Sequence, residues 1–289
     1  MTKFDRTVED LGNIVCLEHV NTRVPDQQLA TAFYVSGLGL TRDPFIMTGT
    51  NNMWINVGRA QFHLPTGAPQ VVRGTTGIVL EGREALLTRL NDAAPLLDGS
   101  HFSFREEPDH IAVTCPWGNR IRCHEPSPAF GALRLGMPYV ELDVPVGSTA
   151  AIARFYNEII AAPARATEAG GVPSAHVSAG DGQELIFRET DAPVPEFDGH
   201  HIAVYLADFS GPYRRLLERG LITEESDQHQ YRFLDIIDPK TGDAIFRLEH
   251  EVRSMRHPMY ARPLINRDPA INNRNYVPGY QQTAWATRP

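Results

Sequence analysis

The chain has 289 residues, with 27 lysines and arginines against 35 aspartates and glutamates, for a formal net charge of −8. That balance excludes a protein built to grip nucleic-acid phosphates or an anionic membrane face, since both demand a basic surface. Hydrophobic residues at 42% and charged residues at 21% exclude a disordered chain.

No apolar run reaches the ~18–20 residues of a bilayer span. The amino-terminal Met1-Thr2-Lys3-Phe4-Asp5-Arg6 carries no apolar leader. Cys16, Cys115 and Cys123 lack metal-type CxxC spacing. Reduced thiols and a cytoplasmic location are the expectation.

Taken in chain order, the first strong signal is the alternation from Leu17 to Asp26. It sets Val20, Thr22 and Val24 on one face of a strand and His19, Asn21 and Arg23 on the other. Asp26 is placed to cap a helix in which Leu29 and Phe33 lie one turn apart, and Gly37 and Gly39 end it. Strands follow around residues 41–46, 52–57 and 60–64, so the unit is strand, helix and three strands.

The order recurs. A second unit has a strand at 76–81, a helix at 84–90 and a hairpin of 110–114 and 120–123 closed by Cys115-Pro116-Trp117-Gly118-Asn119. A third has a strand at 139–144, a helix at 149–160 and a last strand at 184–188. The fourth has a strand at 201–206, a helix at 212–219, and strands at 231–237 and 244–248 around Asp238-Pro239-Lys240-Thr241-Gly242-Asp243. First-to-last-strand spacings agree: 44 residues from His19 to His63, 46 from Thr76 to Arg122, 47 from Tyr139 to Ile186 and 45 from His201 to Phe246. A repeat of this kind decides the fold. It predicts an α+β protein of four tandem βαβββ units in two domains. Residues 1–130 and 131–254 would be those domains, divided at Ser127-Pro128-Ala129-Phe130-Gly131. Residues 255–289, with prolines at 258, 263, 269 and 278, would be an extended tail. Its tyrosines and arginines suit packing on the other half or on a second subunit.

These units resemble the vicinal oxygen chelate superfamily, which holds glyoxalase I, extradiol dioxygenases and bleomycin-resistance proteins. The resemblance is carried by Glu18-His19-Val20-Asn21-Thr22-Arg23-Val24-Pro25-Asp26, by Ala32-Phe33-Tyr34 with Gly37-Leu38-Gly39-Leu40, and by the turns Pro116-Trp117-Gly118-Asn119 and Asp238-Pro239-Lys240-Thr241-Gly242. It covers roughly residues 14 to 252. It implies paired units whose mixed sheets curl into two half-barrel domains around a cavity that usually holds a divalent metal, with ligands at the start of each unit's first strand and the middle of its last.

Those positions fall on His19 and His63 in unit one, near Thr76 and on Arg122 in unit two, on Tyr139 and Ile186 in unit three, and on His201 and Phe246 in unit four. The resemblance thus implies His19, His63 and His201 as ligands for iron, zinc, manganese or nickel. Arg122 would hold a carboxylate or enolate, and Tyr139 and His124 would complete the catalytic set. Glu141 and Asp143 are secondary candidates. Glu125, Glu189 and Glu249, three places beyond the last-strand positions, are expected on the opposite face as rim residues. The extradiol and glyoxalase glutamates have no counterpart at these positions.

Consecutive pairing of units, favoured by chain adjacency, would put His19, His63 and Arg122 in one cavity and His201 alone in the other. Pairing of units one and four would bring the three histidines together. The expected function is a metal-dependent enzyme for a small oxygenated or aromatic substrate, with ring-cleaving dioxygenation the nearest reaction. The alternative is a metal-free binding or sequestering protein. No nucleic-acid or membrane partner is expected, and a homo-oligomer would form through the tail.

Overall fold

A computed structural model describes residues 9–45 and 51–262, with Phe4 and Arg6. Unit one runs β1 (Ile14–Asn21), helix α1 (Gln27–Ala30, continued by wider π turns over Thr31–Gly37), β2 (Thr41–Arg42), β3 (Asn52–Val57) and β4 (Ala60–Pro65). Unit two runs β5 (Gly74–Val79), α2 (Arg83–Ala93), β6 (Ser103–Glu106), β7 (Ile111–Thr114) and β8 (Arg120–His124). Unit three is β9 (Gly136–Pro145), α3 (Thr149–Phe155, with π turns over Tyr156–Ile160), β10 (Ala164–Thr167), β11 (Ser174–Ser178) and β12 (Glu184–Thr190). Unit four is β13 (His201–Leu206), α4 (Ser210–Leu217), β14 (Ile222–Asp227), β15 (Gln230–Ile237) and β16 (Ala244–Ser254). Asp26 does cap α1, its carboxylate accepting from the Gln28 and Leu29 amides.

The strands form two mixed eight-stranded sheets. Sheet one has the order β14-β15-β16-β13-β1-β4-β3-β2, and sheet two β10-β11-β12-β9-β5-β8-β7-β6. Unit one therefore pairs with unit four and unit two with unit three, against the expectation of consecutive pairing. A boundary at 130/131 divides the chain but not the sheets, because each sheet draws one unit from either side of it. The seams are antiparallel: β1 meets β13 and β5 meets β9. Glycine permits the second seam, since a Cβ on Gly74 would stand 1.9 Å from the Glu141 carbonyl oxygen and one on Gly77 would stand 2.4 Å from the Tyr139 ring. Consecutive units meet through helices instead, the π turns after α1 packing on α2 and those after α3 on α4.

Each sheet turns an apolar face to these helices. Leu17, Phe62, Ile202, Val204 and Val252 do so in sheet one and Val140, Leu142, Leu185 and Phe187 in sheet two, and all belong to one continuous core. No helix among the described residues is long and apolar enough to cross a membrane. Residues 255–262 fold back in turns: Tyr260 packs 5.0 Å from the Tyr205 ring, and Arg262 makes a buried ion pair with Asp43. The rest of the expected tail lies outside the described residues.

Candidate metal centre

The opposite face of sheet one is polar, and strand register decides what meets there. In the parallel β1–β4 pair, His19 lies across from Gln61 and Asn21 from His63. Across the seam Asn21 faces His201, and β13 then sets His201 beside Glu249 and Ala203 beside Glu251. The alternation of the strands thus delivers His19, His63, His201, Glu249 and Glu251 to one face.

His19, His63 and His201 converge, each offering a ring nitrogen within 4.8 Å of the others. His19 Nε2 lies 3.4 Å from His201 Nε2. The His19 ring centre is 5.4 Å from that of His63 and 5.5 Å from that of His201. Trp54 walls one side, stacked on His63 at 3.8 Å and meeting the His19 ring edge-on at 4.8 Å.

Each imidazole is held from behind. His19 Nδ1 donates to Glu18 Oε2 at 2.5 Å, and His201 Nδ1 lies 3.4 Å from Glu249 Oε2. His63 Nδ1 lies 2.6 Å from Asn21 Nδ2, while His63 Nε2 is buried with no hydrogen-bond partner. A buried orphan nitrogen costs about 1–3 kcal/mol, and a metal would remove that cost. An amide's nitrogen and oxygen exchange places by a half-turn. With the Asn21 oxygen toward Nδ1–H, the His63 lone pair lies on Nε2, as coordination requires. Burial holds His19 below the ordinary imidazole range, and burial with the neighbouring His19 and His201 rings holds His63 well below it. Metals take the neutral ring. The residues fit a divalent transition metal.

Behind the histidines runs a ladder of alternating charge. Glu18 pairs with Arg253 at 3.0 Å, Arg253 with Glu251 at 2.5 Å, Glu251 with Arg232 at 2.5 Å, and Arg232 with Glu249 at 3.3 Å. Burial alone would push the Glu18 carboxyl up, but Arg253 and His19 outweigh it and hold the group at about 2. Glu251 is also held below the carboxylate range, its burial outweighed by His201 and Arg253. Glu251 Oε2 lies 3.5 Å from His201 Nε2. A cavity of about 880 Å³, whose lining includes Glu18, Arg59, Gln61, Tyr205 and Tyr260, adjoins this face at the Glu18 end.

Two sequence expectations change here. The residue of unit four that matches His63 is Glu251, because Asn21 lies across from His63 as Ala203 does from Glu251. Phe246 instead packs under the Arg73 guanidinium at 4.2 Å. The cause is length: β15 and β16 have 8 and 11 residues where β3 and β4 have 6 each. The longer hairpin displaces the matching position five places along. For the same reason Glu249 is on the ligand face, not opposite it. Glu125 and Glu189 have structural partners: Glu125 accepts from the Arg83 amide, and Glu189 accepts from the Thr149 amide and hydroxyl at the start of α3.

Arg122, Tyr139 and His124 come together on the other sheet. There the positions matching His19, His63, His201 and Glu251 are Thr75, Arg122, Tyr139 and Ile186. Arg122 donates to both Glu141 oxygens, at 3.3 and 3.1 Å. The Tyr139 hydroxyl donates to His124 Nε2 at 2.8 Å, and His124 Nδ1 donates to the Asp109 carbonyl at 3.3 Å. Asp109, His110 and His124 also have ligand atoms within 4.8 Å of one another, yet this chain of donors engages both His124 nitrogens. Asp143 pairs with Arg120 at 2.7 Å.

Two eight-stranded sheets built from four βαβββ units, with histidines at matching strand positions, constitute the vicinal oxygen chelate fold. The chain is similar in structure to a candidate dioxygenase from Bacillus subtilis subsp. subtilis str. 168, at 17% identity over 85% of this chain and 86% of that one, with a TM-score of 0.55. It is likewise similar to glyoxalase I from Zea mays, at 13% identity over 83% of this chain and 92% of that one, with a TM-score of 0.56. No family model and no curated protein matches the sequence.

Proposed function

We propose that the protein is a metal-dependent enzyme acting on a small oxygenated or aromatic substrate, with His19, His63 and His201 as ligands. Glu251 stands at the fourth ligand position of the fold. The single observation that carries this reading is the buried, unpartnered Nε2 of His63 beside the other two rings. A metal-free sequestering protein would leave that nitrogen orphaned. A bound metal supplies Lewis acidity toward substrate oxygens. The chain's own residues supply the rest. Glu18 and Glu249 restrain the rings, Trp54 excludes water from one side, and Arg232 and Arg253 hold Glu251 ionised.

With Glu224, 3.7 Å from Arg232, more than half exposed and screened by water, the ladder's three carboxylates against two guanidiniums leave it one negative charge. Added to a divalent ion and neutral imidazoles, this gives a site with one positive charge, suited to an anionic oxygen ligand such as a catecholate. Ring-cleaving dioxygenation is the reaction we favour. Elemental analysis of purified and reconstituted protein should find one transition metal per chain, and iron-loaded protein should consume dioxygen with a member of a catechol panel. Absence of stoichiometric metal after reconstitution would refute the metal centre. Stoichiometric iron with no dioxygen uptake across the panel would refute the dioxygenase reading alone.

A further inference from the structure

We infer that Glu18, locked by Arg253, is a positioning residue that fixes His19 as a metal donor; this rests on the metal centre proposed above. Simple strand alternation would turn Glu18 away from His19. A register shift between Leu17 and His19 in the β1–β13 seam breaks the alternation and brings both side chains to the same place. The Glu18 carboxylate then accepts from His19 Nδ1 at 2.5 Å and from Arg253 Nη1 at 3.0 Å. Glu18 and His19 are 6% and 0% exposed. A carboxylate is not buried at this depth without strong partners, and both of its partners belong to the candidate centre. Arg253 also reaches Glu251 and the Tyr205 hydroxyl, so it cannot swing away without unpairing a second buried acid.

The consequence for His19 is chemical. With Nδ1–H committed to Glu18, the ring's lone pair is on Nε2, which faces His201 Nε2 at 3.4 Å. The carboxylate also makes the ring a stronger donor. His63 has only a neutral amide behind it, and His201 has a more distant carboxylate. His19 is therefore the most firmly oriented of the three.

The test is titration of the full chain with cobalt(II), followed by visible absorption, for wild type, Glu18→Gln and Glu18→Leu. Circular dichroism of the metal-free proteins confirms folding. Glu18→Leu should weaken cobalt binding by ~10–100-fold. Glu18→Gln, whose amide oxygen still accepts from Nδ1–H, should recover most of that loss. Should Glu18→Leu fail to fold, Glu18→Asp withdraws the carboxylate by one methylene and should weaken binding in the same direction. Glu18→Leu, or Glu18→Asp in its place, binding within twofold of wild type would overturn the inference alone. So would an equal loss in the leucine and glutamine variants. A wild type that takes up no cobalt would overturn the metal centre and this inference together.

Discussion

His63→Leu separates the cost of the buried nitrogen from the gain on binding metal. Without metal, leucine removes the orphan Nε2, worth about 1–3 kcal/mol, but leaves the buried Asn21 amide without its partner, which costs a similar amount. The metal-free variant should therefore melt within a few degrees of wild type. With metal the two diverge. Free metal at 100 times Kd stabilises wild type by about 2.7 kcal/mol, and at about 2–4 °C per kcal/mol for a large domain this raises Tm by roughly 5–11 °C. A variant binding about 100-fold more weakly keeps only about 0.4 kcal/mol at the same metal concentration, a rise below about 2 °C. Scanning calorimetry of both proteins, with metal and with excess chelator, reads the four melting temperatures. The reasoning fails if wild type melts unchanged after chelation, or if His63→Leu retains the full metal-dependent rise.

Arg253→Met should destabilise the metal-free protein by about 3–5 kcal/mol, because it strands the buried Glu18 and Glu251 charges; denaturant unfolding with a loss below 1 kcal/mol would contradict this. Gly74→Ala should lose folded protein or at least about 1–3 kcal/mol, since its Cβ collides with the Glu141 backbone across the seam of sheet two; a stable variant would mean the seam adjusts freely. His250, bonded to the Tyr156 hydroxyl and the Leu248 carbonyl, is pushed by burial down to about 4. Unfolding then takes up a proton, so stability should fall as pH drops from about 6.5 toward 4. Glu18, held at about 2, adds its own loss only below about 4.5. His250→Gln should flatten the slope of stability between pH 6.5 and 4.5, and equal slopes would refute the assignment. Thiol titration of denatured, unreduced protein should find Cys16, Cys115 and Cys123 all free, and one thiol instead of three would contradict this.

The repeat and the three histidines of the candidate centre were legible because they depend on local periodicity. His19, His63 and His201 alternate with apolar neighbours on short, well-bounded strands. The edge strands β6, β10 and β14 carry exposed or half-buried side chains with no apolar alternation to mark them, and β11 beside β10 is short; none of the four is legible in the sequence. Glu251 was missed because its place depends on the length of the β15–β16 hairpin, which runs past the last residue of the apparent repeat. Glu18 was hidden by a bulge, which a period-two reading passes over. The pairing of units runs against adjacency along the chain, and its mark in the sequence is the glycines of β5. In a strand that otherwise has no turn to make, Gly74 marks where another backbone comes close and Gly77 where the Tyr139 ring does.

The nesting of one sheet's units around the other's also orders the protein's assembly. Every strand of sheet two lies between Gly74 and Thr190, so that sheet can close before the strands of unit four are made. Sheet one has to wait. Its first half is made earlier, yet β1 has no partner across the seam until β13 emerges, 184 residues on from His19 to its partner Ala203 and 180 from Asn21 to His201. During that interval the seam edge of β1 is an unpaired edge, open to wrong partners. Its candidate ligands are the last part of the molecule to be brought together, so a nascent or truncated chain would carry His19 and His63 without the third histidine or the acids behind it.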